Sequence, residues 1–180
     1  MRLFIAISFT PEIKSNLFKI TQYMKQNSIK GNFTKKDNFH LTIAFIGESN
    51  AIKDIQNAMN RAIEQPEVKP FTLSIEGLGK FNHREGNIFW AGIKNSPLLS
   101  QLNKAIVKEL RNSGFTIEDR EYKPHLTLGR KVMFKNTFDI NEFEKTIPPM
   151  EMAVNRVSLM KSETIGGQLI YTEIYHCNLI

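Results

Sequence analysis

His40-Leu41-Thr42-Ile43 and His125-Leu126-Thr127-Leu128 are one pattern written twice. The offset between the copies, from residue 40 to residue 125, is 85 positions. Each copy alternates polar with apolar residues, the period of a strand with one wet and one buried face. Histidine and threonine therefore share one face, and leucine and isoleucine point to a core. Two such strands brought together would surround one small cleft with two imidazoles and two hydroxyls. That set suits metal-free acid–base chemistry on phosphate.

The same offset relates other segments, as an internal duplication requires. Leu3 to Ile7 aligns with Ile88 to Ile93, placing Ala6 opposite Ala91. Thr10-Pro11 and Ser96-Pro97 follow, each a hydroxyl N-cap with proline at the first helical position. Ile13, Leu17, Ile20 and Met24 then repeat at helical spacing, as do Leu99, Leu102, Ile106 and Leu110 before Gly114. A second helix is predicted after each histidine strand, through Ile52, Ile55, Met59 and Ile63 and, shorter, from Asn141 to Lys145. Apolar runs Phe71 to Leu78 and Met152 to Met160 close the halves.

The predicted class is α+β: duplicated βαββαβ, ferredoxin-like lobes whose antiparallel sheets face each other across a central cleft. The chain reads as a single bilobal domain, 1–180. Its internal repeat covers approximately 1–82 and 86–162, with a further C-terminal strand at 169–177. Loops are expected at Asn27 to Asn32, Gly79 to Asn87 and Glu163 to Gly167.

The 180 residues can bury a real core. No stretch approaches the 18 apolar residues of a membrane span. Met1 to Ile7 is apolar, but Thr10-Pro11-Glu12 follows too soon for a secretion signal. Cys177 stands alone, so there is no internal disulfide and no cysteine-rich metal site, and a cytoplasmic protein is expected. The net charge of +6, from 24 Lys and Arg against 18 Asp and Glu, favours anionic partners. Lys25, Lys30, Lys35 and Lys36 precede His40, and Lys123 and Arg130 flank His125. Each alone reads as solvated surface; as a set they suit a phosphate-bearing ligand.

Two further histidines lack the repeated setting. His83 lies in the polar turn Phe81 to Gly86, and His176 adjoins Cys177 with no threonine after it. Both read as surface or structural residues. Zinc would need a third ligand, and both motif strands offer threonine where a carboxylate would serve. Gly77-Leu78-Gly79-Lys80 has the wrong spacing for a phosphate-cradling loop. Two near-neutral imidazoles can instead open a strained 2′,3′-cyclic phosphate, one activating water and the other protonating the departing ribose oxygen. The threonine hydroxyls can hold the non-bridging oxygens.

Phe45 and Arg130 occupy equivalent places, each five residues after its histidine. An aromatic plane and a guanidinium plane could pinch a nucleobase. Strand parity opposes this, because odd offsets point away from the histidine face unless the strands twist or end near Ala44 and Gly129. The alternatives are core packing for Phe45, and a phosphate contact or surface ion pair for Arg130.

These residues resemble the two-histidine phosphoesterase superfamily, specifically the RNA 2′,3′-cyclic phosphodiesterases once named 2′-5′ RNA ligases. The matching pieces are Arg2 to Ile7, His40 to Glu48, Phe89 to Gly92 and Tyr122 to Arg130. The resemblance implies a bilobal fold with a cleft and metal-independent hydrolysis giving a 2′-phosphomonoester. It implies catalytic roles for His40 and His125, phosphate binding by Thr42 and Thr127, and substrate contacts from Phe45 and Arg130. Ile43 stands where leucine is more usual, and Lys123 where arginine is frequent. The expected partners are RNA ends or nucleotide cyclic phosphates, with no cofactor, metal or membrane partner, and a monomeric chain. Two alternatives stay open: an enzyme of small cyclic nucleotides, and an RNA-end-binding module without turnover.

Overall fold

Thr10 and Ser96 start the two long helices as their positions require. In a computed structural model of residues 1–180, the Thr10 hydroxyl accepts from the Ile13 amide (3.3 Å) and the Ser96 hydroxyl from the Leu99 amide (3.2 Å). These caps open α1 (Pro11–Gln26) and α3 (Pro97–Asn112), with proline in the first turn of each. The other helices are α2 (Ile52–Ile63) and the short α4 (Ile140–Glu144). No helix is long and apolar enough to cross a membrane.

Nine strands form two antiparallel sheets, in accord with the predicted class. In chain order they are β1 (Arg2–Ser8), β2 (Ser28–Phe33), β3 (His40–Glu48), β4 (Phe71–Phe81), β5 (Asn87–Ile93), β6 (His125–Phe134), β7 (Met150–Val154), β8 (Arg156–Ile165) and β9 (Gln168–Asn178). One sheet has the order β3-β1-β8-β9, the other β2-β6-β5-β4-β7. Within them β3-β1-β8-β9 corresponds to β6-β5-β4-β7. The halves have exchanged strands: β4 from the first pairs with β5, and β8 from the second pairs with β1. Each sheet thus carries one histidine strand beside its central strand, and the exchange ties the two sheets together.

Five local expectations change. The loops expected at Gly79 to Asn87 and Glu163 to Gly167 are shorter, because β4 runs on through Phe81 and β8 through Ile165. Asn27 to Asn32 is not a loop: most of it is edge strand β2, which pairs with β6. Residues 115–124, its counterpart in the second half, form no strand. The run Met152 to Met160 is not one strand either; it breaks at Asn155 into β7 and β8, which belong to different sheets. The hairpin joining β8 to β9 turns on Gly166 and Gly167, whose φ angles of +57° and +74° suit glycine.

A continuous apolar core runs beneath both sheets and takes in Ile5, Leu17, Leu41, Ile55, Leu102, Leu126 and Leu159. Helices α2 and α3 pack on each other, and α3 reaches both β3 and β4. A small second cluster of Phe4, Ala6 and Met160, with Tyr171 against it, lies on the opposite face of the first sheet. That is the face on which the histidine sits.

Candidate active site

The two motif strands share a burial sequence that strict alternation does not produce. Leu41 is buried and Thr42 half-buried; Ile43 and Ala44 are then both buried, and Phe45 is exposed. Leu126, Thr127, Leu128, Gly129 and Arg130 repeat the order residue for residue. The cause is a β-bulge. His40, Thr42 and Phe45 stand opposite Ser8, Ala6 and Phe4, three alternate residues of one face of β1, with Ile43 as the extra residue. On the second sheet His125 and Thr127 oppose Gly92 and Trp90, Leu128 is the extra residue, and Gly129 opposes Phe89. One inserted residue reverses parity, so Phe45 and Arg130 join the histidine face despite their odd offset. A second irregularity follows in each copy, beside Gly47 (φ +87°) and Lys131 (φ +54°).

A bulge withdraws carbonyls from the sheet ladder, and buried carbonyls need partners. The chain supplies them in both copies. Asn103 of α3 donates to the Ile43 carbonyl (2.8 Å), and the Tyr122 hydroxyl donates to the Thr42 carbonyl (2.9 Å). On the other strand the Thr34 amide donates to the Leu128 carbonyl (2.9 Å) and the Thr34 hydroxyl to the Thr127 carbonyl (2.8 Å). The Tyr122 bond also links the approach to β6 directly to β3. Its burial pushes the Tyr122 phenol far up, so the hydroxyl remains a donor.

Both histidines are oriented by the same local device. Nδ1 of His40 lies 2.7 Å from the Asn38 carbonyl, and Nδ1 of His125 lies 2.8 Å from the Lys123 carbonyl. A carbonyl only accepts, so Nδ1 carries the proton in each ring and Nε2 is the acceptor nitrogen. Nε2 of His40 lies 3.1 Å from the Thr42 hydroxyl.

Their surroundings differ. The His40 ring is packed by Phe4 (centroids 4.9 Å) and by the edge of Tyr171 (5.0 Å, 87°). Burial lowers the His40 pKa from its ordinary 6.5; the Asn38 carbonyl opposes the shift, and the charges of Lys14 and Arg130 add to it. The field of Arg130, on the second sheet, thus reaches the histidine of the first. His125 meets Phe81 (5.2 Å, 90°) and Trp90 (6.4 Å) instead.

A sequence profile of the 2′-5′ RNA ligase superfamily matches residues 21–166. The chain belongs to the 2′-5′ RNA ligase superfamily. Among similar superfamily members, the RNA 2′,3′-cyclic phosphodiesterase of Methanocaldococcus jannaschii is 30% identical over 178 residues, 97% of this chain and 98% of that protein. The protein of the same name from Escherichia coli K12 is 30% identical over 181 residues, covering 96% and 93%. Crystal structures of Escherichia coli LigT superpose with a TM-score of 0.76 at 26% identity. The apo form covers 98% of this chain and 96% of that one, and the complex with 3′-AMP covers 99% and 97%.

Set in this superfamily fold, the six residues singled out by sequence, His40, Thr42, Phe45, His125, Thr127 and Arg130, lie on the histidine-bearing faces of β3 and β6, two strands that approach each other. His83 and His176 stand apart. His83 is exposed in its turn, and His176, also exposed, lies 3.3 Å from Glu173. The lysines divide: Lys35 donates to Gln168, Lys123 pairs with Glu121, and Lys25, Lys30 and Lys36 are exposed. The lysine whose field reaches His40 is Lys14, held by the Asp37 carbonyl (3.0 Å). No three His, Cys, Asp or Glu side chains gather closely enough to hold a metal ion. Sequence reasoning missed Phe4, Lys14, Phe81, Trp90, Asn103, Tyr122 and Tyr171. Phe4, Trp90 and Tyr122 stood inside pieces that carry the family resemblance; Asn103 and Tyr171 carry no local signal.

Proposed function

We propose that this chain hydrolyses RNA 2′,3′-cyclic phosphate ends to 2′-phosphomonoesters without a metal ion, using His40 and His125 as its proton-transfer pair. The observation that carries the reading is the matched anchoring of the two rings. Each has Nδ1 tied to a carbonyl two residues upstream, leaving two Nε2 atoms for one phosphorus. One takes the proton of the attacking water as the new P–O bond forms. The other gives a proton to the ribose 3′-oxygen as its bond to phosphorus breaks. Thr42 and Thr127 donate to the non-bridging oxygens, and Arg130 offsets the charge that builds there. Phe45 and Arg130, brought onto the histidine face by the bulges, clamp the terminal base between a phenyl ring and a guanidinium. The relatives named RNA 2′,3′-cyclic phosphodiesterase, and the LigT complex with 3′-AMP, agree with this substrate class.

The test is hydrolysis of an oligonucleotide ending in a 2′,3′-cyclic phosphate, in EDTA. The unaltered chain is expected to turn over, and His40→Ala and His125→Ala each to lose roughly 10²–10⁴-fold, the usual worth of one general acid or base. Unimpaired His40→Ala would overturn the mechanism. Tight binding of RNA ends without product would replace the enzyme with a binding module, and a clear preference for cyclic mononucleotides would displace RNA as substrate.

A further inference from the structure

Strands β8 and β9 go on pairing after the rest of the first sheet has ended. Strand β1 starts at Arg2, opposite Ser162, but β8 and β9 continue through the pairs Glu163–Ile170, Thr164–Leu169 and Ile165–Gln168. This arm pairs only with itself, and Thr164 to Ile170 are exposed. In the sheet order β3-β1-β8-β9, the arm and His40 belong to opposite edges. The arm nevertheless meets the segment that leads into His40. Lys35 Nζ donates to Gln168 Oε1 (2.8 Å), and the Asn38 side-chain amide donates to the Leu169 carbonyl (2.9 Å). It therefore curls across the face that carries the histidine, with Tyr171 at its base against the His40 ring.

Asn38 stands at the junction of two contacts. Its side chain is bound to the arm, and its own carbonyl receives the Nδ1–H of His40 (2.7 Å). Lys14 takes the neighbouring Asp37 carbonyl (3.0 Å), so the short 3₁₀ turn Lys36–Asn38 is fixed from α1 on one side and from the arm on the other. The second histidine has no such brace: the side chain of its anchor, Lys123, pairs only with Glu121 two residues away (3.5 Å). We propose that the β8–β9 arm positions the His40 imidazole through Asn38, a positioning residue for proton transfer at Nε2. The inference rests on the phosphodiesterase reading and adds to it the residues that aim one of its two histidines. Rotation of the Asn38 carbonyl away from Nδ1 would release the ring to the other tautomer, in which Nε2 carries the proton and cannot accept one. The bond from the Asn38 side chain to the arm opposes that rotation. Exposed bonds of this kind contribute little to folding. Their loss is felt in orientation, where a displacement of about 1 Å can cost roughly 10²-fold in rate.

Two variants cut the tie from opposite ends. Asn38→Ala removes the donor. Replacing residues 163–170 by Asn-Gly joins Ser162 to Tyr171, which already pair, in a two-residue hairpin; it removes the Leu169 carbonyl and keeps Tyr171. On an oligonucleotide ending in a 2′,3′-cyclic phosphate, each variant is expected to lose roughly five- to tenfold in kcat, with KM moving less than about twofold. The double variant should lose no more than either alone, since both changes break one bond. Nitrogen-15 spectra of the imidazoles at alkaline pH should show His40 as the Nδ1–H form in the unaltered chain. In both variants His40 should become a mixture of tautomers while His125 stays unchanged. A merely structural tie would lower stability without moving that ratio. Unchanged kcat and an unchanged His40 tautomer in both variants would overturn the proposal, as would losses that add in the double variant or an equal change at His125. Absence of hydrolysis by the unaltered chain would instead refute the phosphodiesterase reading, and the tautomer ratios would still decide whether the arm holds the ring.

Discussion

Replacing Asn103 by alanine tests whether the bulge at Ile43 depends on the partner of its carbonyl. Asn103 is buried in α3, and its side-chain amide donates to the Ile43 carbonyl at 2.8 Å. The substitution removes a hydrogen bond whose net worth is about 1 kcal/mol and leaves a buried acceptor unpaired, a cost of about 1–3 kcal/mol. Alanine returns roughly 0.5 kcal/mol through its better helix propensity. The expected loss is therefore about 2 kcal/mol, or roughly 4–8 °C in Tm for a chain of this size. Asn112→Ala is the control, since it lies at the exposed end of the same helix and makes only a 3.4 Å contact with Glu109; its effect should stay within about 0.5 kcal/mol. Urea unfolding of both variants gives the difference directly. Phe45 reaches the histidine face only through this bulge, so KM for a nucleotide substrate should rise more than kcat falls. If the two variants unfold within about 0.5 kcal/mol of each other and KM is unchanged, the carbonyl does not hold the bulge and the reasoning fails.

Two further outcomes follow from the surroundings of the histidines. Burial lowers the His40 pKa, so the folded chain binds that proton less readily than the unfolded chain: the stability linked to this group is full above pH 6.5 and is lost as pH falls through the folded value. The limb of a bell-shaped rate profile that reports His40 should therefore lie below pH 6.5, and Tyr171→Ala, which uncovers the ring, should move it upward; an unmoved limb in the variant would deny Tyr171 that part. Gly79→Ala should cost about 1–3 kcal/mol by driving a methyl group into the Trp90 ring, and should shift the tryptophan emission; an unchanged Tm and spectrum would show that the indole is free to move aside.

The repeat, the two capped helices, the histidine strands and the two-sheet class were legible because each depends on residues close together in the chain. Where distant partners decide, the sequence was silent. The bulges are the clearest case. Ile43 and Leu128 look like ordinary members of an alternating strand, and the groups that receive their carbonyls, Asn103 and the Thr34 amide, lie far away in sequence. Parity therefore pointed Phe45 and Arg130 the wrong way, although their equivalence across the repeat had already paired them. Edge strand β2 was hidden because Gly31 and the asparagines at 27 and 32 read as turn residues, whereas pairing with β6 outweighs their weak strand propensity. Tyr171 was out of reach for another reason: it meets His40 only because the final strand folds back beside β8, a contact 131 residues distant.

Duplication and divergence contribute different things to this cleft. Two identical lobes would offer a phosphate the same chemistry from both sides and could not orient an unsymmetrical ester. The shared elements, His-x-Thr, the bulge and the carbonyl anchor two residues upstream, give the proposed proton-transfer pair a common geometry. Direction comes from what differs at equivalent positions. Phe45 faces Arg130 in role, and His40 is enclosed by Phe4 and Tyr171 where His125 meets Phe81 and Trp90. The proposed clamp draws one residue from each sheet, so it forms only when the halves are together, whereas each aromatic surface belongs to a single sheet. Exchanging Phe45 with Arg130 in a double variant would therefore keep the members of the clamp but turn them around the phosphorus. Both imidazoles would remain in place, and a loss of turnover well beyond the loss of binding would locate the directional information in that pair.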